Sequence, residues 1–312
     1  MGHFDVIVIG SGVSGLVATR QLLQIGHGLS VANIEAESFG GLVMNVNELD
    51  GEIHGSGLEY TAGMMLEVTD LGAVALSERV IEIVQEAPGW MVTTDRGHHH
   101  ARVVIVASGA RLKKLGIPGE QEFEYKGVSR CADCDGPLYT GKDVVVAGGG
   151  DSALQEARVL ANFCNHVYVL NREETFVGRQ HLIDALTKCP NVTVRHKTEV
   201  RAVLGGTVVE KVQVMDLAAN IDNEIACSGF FGFIGLQPAS DFIPTSLSRD
   251  ALGHLVTDAS LKSADGLFAA GAVRSGYSGL LADAIAEGLA VANGAAEVFI
   301  AQHRARSGHR YQ

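Results

Sequence analysis

The stretch FDVIVIGSGVSG, residues 4–15, decides the fold at the start of this chain. Its apolar run predicts a β-strand over Phe4–Ile9, and the pattern that follows predicts a helix from Ser14 to about Ile25. A second strand is predicted over Leu29–Ile34, and the acidic Glu35 follows it, twenty residues after the last glycine. A strand, G-x-G-x-x-G, a helix and a second strand with an acid at its end form the full dinucleotide-binding fingerprint.

The glycines of this fingerprint allow the backbone to approach a ligand closely. Backbone N–H groups and the helix N-terminus can meet a pyrophosphate, and Glu35 can accept a hydrogen bond from a ribose hydroxyl. A tight turn without a ligand is the simpler alternative, but here the whole context of the motif is present. The predicted contacts to a nucleotide cofactor are Gly10, Ser11, Gly12, Ser14, Gly15 and Glu35.

The same strand, loop, helix and strand pattern occurs a second time. A strand is predicted over Asp143–Ala147, the loop GGGDSA covers residues 148–153, a helix continues to about Phe163, and His166–Leu170 is the second strand. Two such units predict two nucleotide-sized sites. The contacts predicted in the second site are Gly148, Gly150, Asp151 and Ser152.

Two cysteines lie between the two fingerprints, in the stretch RCADCDG of residues 130–136. Cys131 and Cys134 are three residues apart and meet on one face if they form the first turn of a helix. The helix N-terminus then lowers the pKa of one thiol, and Asp135 can exchange the proton that thiol–disulfide exchange requires. Half a zinc site is the alternative, but no second Cys or His pair has matching spacing. The motif predicts a redox disulfide with no metal site.

Composition excludes several other classes of function. The formal net charge of −12 argues against nucleic acid and anionic membranes as partners. Residues 225–240 form the longest uncharged stretch, which is too short and too irregular to span a bilayer. No targeting signal is visible, and five cysteines do not form a secreted disulfide framework. The chain is therefore expected to be soluble and cytoplasmic.

The remaining segments predict further strands and a closing helix. Ala73–Val84 and Trp90–Thr94 are predicted as strands of an antiparallel accessory layer. Three consecutive histidines in the turn Asp95–His100 point to alternate faces, so they predict a solvated hairpin tip and not a metal site. Further strands are predicted over Arg102–Ala107, Val192–Val203 and Thr207–Leu217, and a long helix runs from about Leu280 to Ala301.

These motifs together resemble the low-molecular-weight thioredoxin reductase family along nearly the whole chain. The resemblance rests on residues 10–15 with Glu35, Gly40-Gly41, residues 127–129, 131–136, 148–153 and 266–271. It implies an α/β protein with two Rossmann-like, three-layer ββα nucleotide-binding domains. The FAD domain, residues 1–115 and 243–312, is split by an inserted domain of residues 116–242 that carries the cysteine pair.

The resemblance also implies roles for individual residues. Cys134 would face the flavin, Cys131 would exchange with the partner, and Asp135 would be the acid–base group. Members of the family usually work as homodimers. Further contacts to FAD are implied at Gly40, Gly41, Asn45, Ala107, Ser108, Gly109, Gly271 and Ala272.

The chain departs from this family at the second nucleotide site. The family follows its second strand with His-Arg-Arg and a further Arg, which hold the 2′-phosphate of NADPH; here the run is NREETFV, residues 171–177. Arg172 remains, but Glu173 places a negative charge where the phosphate would lie. Arg179 could compensate, although it is offset by two residues. NADPH is therefore disfavoured, and NADH or a second flavin remains open for this site.

The flavin side is altered too. Ala272 replaces an Asp that binds the ribityl chain, Leu42 replaces a Gln, and the Arg-Gln that touches the ring is absent from residues 275–281. The resemblance then extends to ferredoxin-linked, diflavin-linked and oxygen-using relatives. Four aromatic side chains could stack on a second flavin: Tyr139, Phe176, Tyr277 and Tyr311. For each of them, a place in the core or the tail is the simpler interpretation.

Three functions follow from these observations. The first is a flavin-dependent disulfide oxidoreductase without efficient NADPH use, and the second is an ordinary NAD(P)H-dependent thioredoxin reductase. The third is a non-catalytic flavin-binding redox sensor, which is ranked last because Asp135 beside the cysteines points to chemistry. The partner is a thioredoxin-like protein or a small disulfide or dithiol, with ferredoxin as an alternative electron donor. Arg130 and Asp133 stand where the family more often has an aromatic residue and a threonine.

Overall fold

A computed structural model describes residues 1–25, 28–46, 49 and 53–308 of the chain. The chain divides into two compact units: Met1–Arg111 with Gln237–Gln312, and Leu112–Leu236. The second unit is thus an insertion in the first. Both breaks lie a few residues before the expected boundaries at 115 and 242, within two short strands of residues 110–112 and 236–238.

The first unit begins with the fingerprint and continues with a helix, a hairpin and a long strand. Its elements are β1 (Gly2–Ile9), α1 (Val13–Ile25), β2 (Val31–Glu35), α2 (Gly57–Asp70), β3 (Val74–Ser77), β4 (Val80–Glu86), β5 (Gly89–Thr94) and β6 (His98–Val106). The strand β7 (Ala110–Leu112) follows. Helix α2 begins with a capping box, in which Ser56 and Glu59 satisfy each other's backbone N–H groups.

The second unit contains the cysteine motif and the second fingerprint. Its elements are β8 (Val128–Ser129), α3 (Ala132–Asp135), β9 (Asp143–Ala147), α4 (Asp151–Ala161), β10 (His166–Leu170), α5 (Gln180–Leu186), β11 (Val192–Arg195), β12 (Thr198–Gly205), β13 (Val209–Asp216), β14 (Ile221–Ala226) and β15 (Gly229–Gly232). The chain returns through β16 (Leu236–Pro238) and ends with β17 (Lys262–Ala264), β18 (Leu267–Ala269) and α6 (Leu281–Gly308).

Each unit has three layers. The main sheet of the first unit has the order β17-β18-β6-β1-β2-β3. Its strands from β18 to β3 are parallel. Val8 lies on the face covered by α1 and α6, whereas Ile7 packs with Ile83 and Trp90 of the β4–β5 hairpin. This ββα arrangement confirms the predicted fold class.

The second unit repeats the same arrangement. Its parallel sheet has the order β11-β10-β9-β15-β8, and β12, β13 and β14 form an antiparallel sheet. In β15, Phe230 packs against the antiparallel layer and Phe231 against the α4 side. Successive side chains of a strand point to opposite faces. Burial of each ring contributes roughly 1.5–3 kcal/mol.

Two segments predicted as single strands each form two strands in the structure. Ala73–Val84 divides into β3, which pairs parallel with β2 in the main sheet, and β4, which alone joins the accessory hairpin. Val192–Val203 likewise divides into β11 and β12, and the chain bends between them at Lys197, which has a φ of +48°. The sequence pattern continues across such a bend because apolar residues occur on both sides of it.

The histidine run is also placed differently from the prediction. His98, His99 and His100 begin strand β6 and do not form a hairpin tip. Their side chains alternate as expected, but His99 is buried, and its Nε2 lies 2.8 Å from a Glu78 carboxylate oxygen. The burial follows from the long pairing of β6 with β1, which starts at the His99 position.

Candidate active site

The cysteine motif forms the amino end of α3. Cys131 is the N-cap residue of this helix, and its Sγ accepts the N–H of Cys134 at 3.2 Å. The two sulfurs are joined in a disulfide, and the two Cα atoms are 5.3 Å apart. Free N–H groups in the first turn of a helix favour a negative charge nearby. A thiolate on Cys131 after reduction therefore receives a backbone hydrogen bond.

A serine connects Asp135 to the disulfide. Ser129 Oγ donates a hydrogen bond to Asp135 Oδ2 at 2.6 Å and accepts one from the Cys131 N–H at 3.2 Å. The Asp135 N–H donates to the Cys131 carbonyl at 3.1 Å. The carboxyl group is thus fixed next to the cysteine loop, in a position suited to a general acid–base group. Ser129 was not identified as a site residue from the sequence.

Arg130, next to Cys131, shares one carboxylate with a second cation of the same unit. Its guanidinium Nη2 lies 3.4 Å from an oxygen of Glu124, and the ammonium of Lys114 lies 3.3 Å from the other oxygen. Arg130 is only a quarter exposed, with a side-chain exposure of 25%. The flank of the disulfide therefore carries two cations that share one carboxylate, with a net positive charge.

In the first fingerprint the glycines have distinct structural roles. Gly10 has a φ of +107°, and a Cβ there would lie 2.3 Å from the Ala107 carbonyl oxygen. A Cβ at Gly15 would lie 2.0 Å from the Gly10 carbonyl oxygen. A Cβ at Gly12, in contrast, would meet no atom within 4 Å. Gly10 and Gly15 thus hold the turn closed, while Gly12 keeps a surface of the loop open.

Glu35 is bonded to the loop that it follows in the fingerprint. Its Oε2 accepts the Ser11 N–H at 2.8 Å, and its Oε1 accepts the Glu37 N–H at 3.1 Å. Ser11 Oγ also donates to Asn33 Oδ1, and Asn33 in turn donates to the Gly10 carbonyl at 3.2 Å. The buried Asn33 thereby fixes the loop, which sequence reasoning did not predict.

The Gly40-Gly41 pair packs against this first loop. The Gly40 N–H donates to the Ser11 carbonyl at 2.6 Å, and Gly12 and Gly40 form a parallel bridge. Both glycines have left-handed backbone, with φ of +91° and +63°. They begin a 3₁₀ turn that ends at Asn45, whose side chain is exposed, as is that of Leu42.

The other predicted flavin contacts in the first unit lie at the ends of β6 and β18. Ala107 packs on Gly10, Ser108 Oγ donates to the Ala239 carbonyl at 2.7 Å, and Gly109 has a φ of +66°. A Cβ at Gly271 would lie 2.6 Å from Ser14 Oγ. The structure thus brings these segments to the loop of the first fingerprint.

A buried ion pair lies beside the half-buried Ala272. The Gly271 N–H donates to Glu287 Oε2 at 2.7 Å, and the Arg274 guanidinium donates to Glu287 Oε1. The two side chains are only 15% and 12% exposed. Neither Arg274 nor Glu287 was singled out from the sequence, because neither belongs to a fixed-spacing motif.

The second fingerprint has the same construction as the first. A Cβ at Gly148 would lie 2.2 Å from the Phe233 carbonyl oxygen, whereas one at Gly150 would meet nothing within 4 Å. Gly149 faces Asn171: a Cβ added at Gly149 would lie 2.3 Å from Asn171 Oδ1. Asn171 is buried and donates to the Thr175 carbonyl at 2.8 Å. This asparagine, directly after β10, therefore holds the turn of residues 173–175 and leaves room only for glycine at position 149.

The segment after β10 folds onto this glycine loop. The Gly149 carbonyl accepts the N–H groups of Val177 and Gly178 at 3.0 and 3.1 Å. Arg179 is bound to Asp151, the first residue of α4. Arg172 and Glu173 are exposed, and Arg172 Nε lies 3.7 Å from a Glu199 carboxylate oxygen. Ser152 is exposed as well. The segment that would meet a 2′-phosphate thus exposes both the positive charge of Arg172 and the negative charge of Glu173.

The four aromatic side chains considered for stacking have different surroundings. Tyr139 packs edge-on against Phe231, with ring centroids 5.4 Å apart, and Phe176 packs against His196 at 4.8 Å. Tyr277 donates its hydroxyl hydrogen to the Leu280 carbonyl at 2.8 Å. Tyr311 lies outside the described residues. The first two rings therefore belong to side-chain packing within the second unit.

The three other cysteines are free thiols. Cys164 and Cys227 are buried, and burial raises the pKa of Cys164 to about 11 and that of Cys227 to about 12. Cys189 is partly exposed. Thiols with raised pKa values are poor nucleophiles at neutral pH because the thiolate is the reactive form. Burial therefore makes Cys164 and Cys227 poorly suited to thiol–disulfide exchange at neutral pH.

Two findings on the described part of the chain concern metals and membranes. Within residues 1–25, 28–46, 49 and 53–308, no group of three or more His, Cys, Asp or Glu side chains could hold a metal ion. In the same residues, no helix has both the length and the apolar character needed to cross a bilayer.

Comparisons with known proteins agree with this geometry. The family model "Pyridine nucleotide-disulphide oxidoreductase" matches residues 4–288. Thioredoxin reductase of Treponema pallidum is 35% identical over 298 residues, or 94% of this chain and 96% of that protein. Lactococcus lactis thioredoxin reductase (FR conformation) has a TM-score of 0.86 at 27% identity, covering 94% of this chain and 98% of its own. A ferredoxin-flavin thioredoxin reductase from Clostridium acetobutylicum shares the fold, with a TM-score of 0.53 at 24% identity and coverage of 96% and 99%.

The fold and the disulfide together define a class. Two dinucleotide-type units, one of which carries a Cys-x-x-Cys disulfide, make this chain an enzyme of the flavoprotein disulfide oxidoreductase class. The chain belongs to the pyridine nucleotide-disulphide oxidoreductase family, with the low-molecular-weight, thioredoxin reductase-like architecture.

Proposed function

We propose that this enzyme passes electron pairs between bound FAD and a partner thiol or disulfide through Cys131 and Cys134, without efficient use of NADPH. The observation that carries the proposal is the disulfide at the amino end of α3, with Asp135 connected to it through Ser129. Sulfur, a backbone donor and a nearby carboxyl group are the components that thiol–disulfide exchange requires.

The first unit supports FAD as the cofactor. Gly12 leaves open space above the loop, and the left-handed Gly40 and Gly41 keep the neighbouring backbone free of side chains. A pyrophosphate fits such a surface because backbone N–H groups and a helix N-terminus point toward it. Glu35 has further lone pairs for a ribose hydroxyl. The other residues proposed to hold FAD are Gly10, Ser11, Ser14, Gly15, Asn45, Ala107, Ser108, Gly109, Gly271 and Ala272.

Bound FAD would supply two-electron redox chemistry to the cysteine pair. In the exchange step, the Cys131 thiolate attacks one sulfur of the partner disulfide, the partner's S–S bond breaks, and the leaving sulfur takes a proton. Cys134 then loses its proton and attacks Cys131 Sγ, so the internal disulfide forms and the second partner thiol is released. The enzyme dithiol is oxidised and the partner disulfide is reduced. Asp135 holds the exchanged proton at its carboxyl group.

Three features of the second unit support a donor other than NADPH. Glu173 is exposed at the point where the family holds a 2′-phosphate, and Val177 offers no charge there. Asp151 adds a second carboxylate at the start of α4, already paired with Arg179. Carboxylates repel phosphate and cannot donate hydrogen bonds to it. We therefore propose NADH or a second flavin at this site, which Gly148, Gly150, Ser152 and Arg172 would border, or ferredoxin as an external donor.

The proposed partner is a thioredoxin-like protein or a small disulfide. The sequence similarity to named thioredoxin reductases supports the former, and the Arg130–Glu124 pair beside the disulfide could contact either. On the family resemblance we also propose a homodimer, which analytical ultracentrifugation would test. Three free thiols favour a reducing, cytoplasmic environment.

Anaerobic addition of one equivalent of NADPH to the FAD-loaded protein tests the choice of donor. The flavin absorbance should stay almost unchanged, while dithionite bleaches it fully as the positive control. NADH is added in a parallel experiment to separate the two nucleotides. Rapid bleaching by NADPH would contradict the proposal and favour an ordinary NADPH-dependent thioredoxin reductase.

Turnover of a disulfide substrate separates the enzyme from a sensor. The chemically reduced protein should reduce thioredoxin or a small aromatic disulfide, and Cys131→Ser should abolish this activity while flavin stays bound. A sensor would bind flavin without measurable turnover in either protein. Loss of flavin in Cys131→Ser would instead show damage to the fold, so bound flavin is measured in each sample.

A further inference from the structure

A second carboxylate contacts the cysteine loop from α4. Glu156 Oε2 accepts the backbone N–H of Ala132 at 2.6 Å. Ala132 is the first residue of α3, is fully buried, and directly follows Cys131 in the chain. The first N–H groups of a helix have no partner within the helix. Glu156 therefore satisfies the N–H next to Cys131, as Ser129 satisfies that of Cys131 itself.

Cys131 and Glu156 share the same end of the helix. The sulfur of Cys131 accepts the N–H of Cys134, and the carboxylate of Glu156 accepts the N–H of Ala132, both from the first turn of α3. When the disulfide is reduced, a thiolate on Cys131 and the ionised Glu156 place two negative charges at one helix terminus. Like charges at close range raise each other's pKa values.

The surroundings of Glu156 oppose its ionisation, mainly through burial. Burial raises the pKa of the Glu156 carboxyl group, the hydrogen bond from Ala132 opposes that change, and the charge of Asp133 adds to it. The other charged groups around Cys131 are Asp135, which is hydrogen-bonded to Ser129, and Arg130, which shares the Glu124 carboxylate with Lys114. One carboxylate thus serves two cations, so Arg130 favours the Cys131 thiolate while Glu156 opposes it.

We propose that Glu156 is a positioning residue that holds the amino end of α3 and whose charge raises the pKa of the Cys131 thiol in the reduced enzyme. The proposal rests on the assignment of Cys131 as the exchanging thiol, and it is independent of the electron donor. At low pH, the fraction of Cys131 present as thiolate is therefore smaller than it would be at the same helix N-terminus without Glu156. A thiolate of higher pKa is also the more nucleophilic one once it forms.

The test measures how the rate of Cys131 alkylation by iodoacetamide depends on pH. Cys134→Ser and Cys189→Ser leave Cys131 as the accessible thiol, since Cys164 and Cys227 are buried. In this background Glu156→Gln keeps an acceptor for the Ala132 N–H but removes the charge. We expect the midpoint of the rate profile to fall by about one pH unit, as for a nearby like charge.

Three further variants and a fold readout complete the experiment. Glu156→Ala removes the charge and the hydrogen bond together, and it should lower the midpoint at least as much as Glu156→Gln. Glu210→Gln, an exposed carboxylate in β13, is the charge-matched control and should leave the midpoint unchanged. Asp133→Asn measures how much the charge of Asp133, the carboxylate on α3 itself, contributes to the midpoint. Bound flavin and far-ultraviolet circular dichroism confirm that each variant is folded.

An unchanged or raised midpoint in Glu156→Gln would overturn the proposal. If only Glu156→Ala moved the midpoint, the role would be hydrogen bonding without an electrostatic effect, which also overturns it. Because alkylation needs no substrate turnover and no electron donor, a failed NADPH or turnover experiment leaves this readout intact. The two proposals can therefore fail separately.

Discussion

Asp151 accepts two hydrogen bonds from Arg179: the backbone N–H donates at 2.7 Å and the side-chain Nε–H at 2.6 Å. The backbone bond is the largest of several effects that lower the pKa of Asp151. The sequence offered Arg179 as a replacement for a missing phosphate-binding arginine. In the structure its guanidinium forms an ion pair with the carboxylate of Asp151, which begins α4 beside the glycine loop. An incoming phosphate would have to compete with that carboxylate for Arg179.

Asp151→Asn should therefore strengthen binding of both NADH and NADPH, since the two share the pyrophosphate that meets the start of α4. We expect roughly a tenfold fall in the dissociation constant, equivalent to about 1.4 kcal/mol, for each nucleotide. Isothermal titration calorimetry on the oxidised, flavin-loaded protein measures it. Equal affinities before and after the change would show that the Asp151–Arg179 pair lies away from any dinucleotide.

Glu173→Arg should favour NADPH alone, because only NADPH carries the 2′-phosphate. The substitution replaces repulsion by a charge-assisted hydrogen bond, and we expect the ratio of NADH to NADPH dissociation constants to rise about tenfold or more. The same calorimetric titrations report it. Glu174→Arg, an exposed neighbour whose carboxylate contacts Lys197, is the matched control. A similar gain for NADH would mean that the added charge acts non-specifically.

The glycines of the first loop should separate fold from cofactor binding. Gly12→Ala introduces a Cβ into open space, so the protein should fold but lose flavin if the pyrophosphate occupies that space. Gly10→Ala places a Cβ against the Ala107 carbonyl on a left-handed backbone and should destabilise the fold itself. Bound flavin per chain and the melting temperature of the apoprotein measure the two effects.

Gly63→Ala serves as the control for these two variants. Gly63 lies within α2, and a Cβ there would also meet no atom within 4 Å. Alanine in a helix interior should stabilise by up to about 1 kcal/mol, with flavin content unchanged. Full flavin content in Gly12→Ala would remove that glycine from the proposed FAD site.

Asp135→Asn should slow exchange with a disulfide substrate by about a hundredfold or more, the usual contribution of a positioned acid–base group. Ser129→Ala should slow it less, since the carboxyl group remains but its hydrogen bond to Ser129 is lost. Stopped-flow turnover over a range of pH measures both effects. If the carboxyl group transfers the proton, the acid limb of the rate profile should change in Asp135→Asn alone, and only the dependence on Cys131 thiolate formation should remain. An acid limb identical to that of the parent protein would assign the proton to another group.

Much of this fold follows from local sequence signals. The strand before each glycine loop, the loop and the helix after it lie within a few residues of the prediction, because glycine spacing and apolar runs act locally. Helix α2 was missed although its start carries a signal, the capping box of Ser56 and Glu59. Helix α5 was missed as well, since its seven residues contain little more than one apolar stripe.

The site was predictable where its residues are neighbours in sequence and not where tertiary contacts create it. Cys131, Cys134 and Asp135 lie within five residues, so the spacing alone identifies them. Glu156 contacts Ala132 from another helix, and Glu287 reaches Gly271 from α6. No local pattern marks these two carboxylates. Only the packing of one element on another shows that each satisfies a backbone N–H.

The buried Glu78–His99 pair predicts how stability depends on pH. Burial of the Glu78 carboxyl group opposes ionisation, but hydrogen bonds from Thr94 and His99 and nearby positive charges outweigh it and lower its pKa. A carboxyl group with a lowered pKa stabilises the folded state above its ordinary pKa, and this contribution is lost as pH falls through the lowered value. The melting temperature should therefore drop as acid is added below about pH 5, near and below the usual range of glutamate.

Glu78→Gln should reduce the fall in melting temperature below about pH 5. It should also lower the free energy of unfolding at neutral pH by about 1–3 kcal/mol, because it replaces a charged partner of Thr94 and His99. Glu82→Gln, on the exposed side of β4, is the control and should change neither quantity measurably. Thermal unfolding followed by circular dichroism at closely spaced pH values provides both. If Glu78→Gln and the parent protein lost stability in parallel below pH 5, the acid sensitivity would reside in other carboxyl groups. The pair would then hold the connection between β3 and β4 to β6 by packing and neutral hydrogen bonds alone.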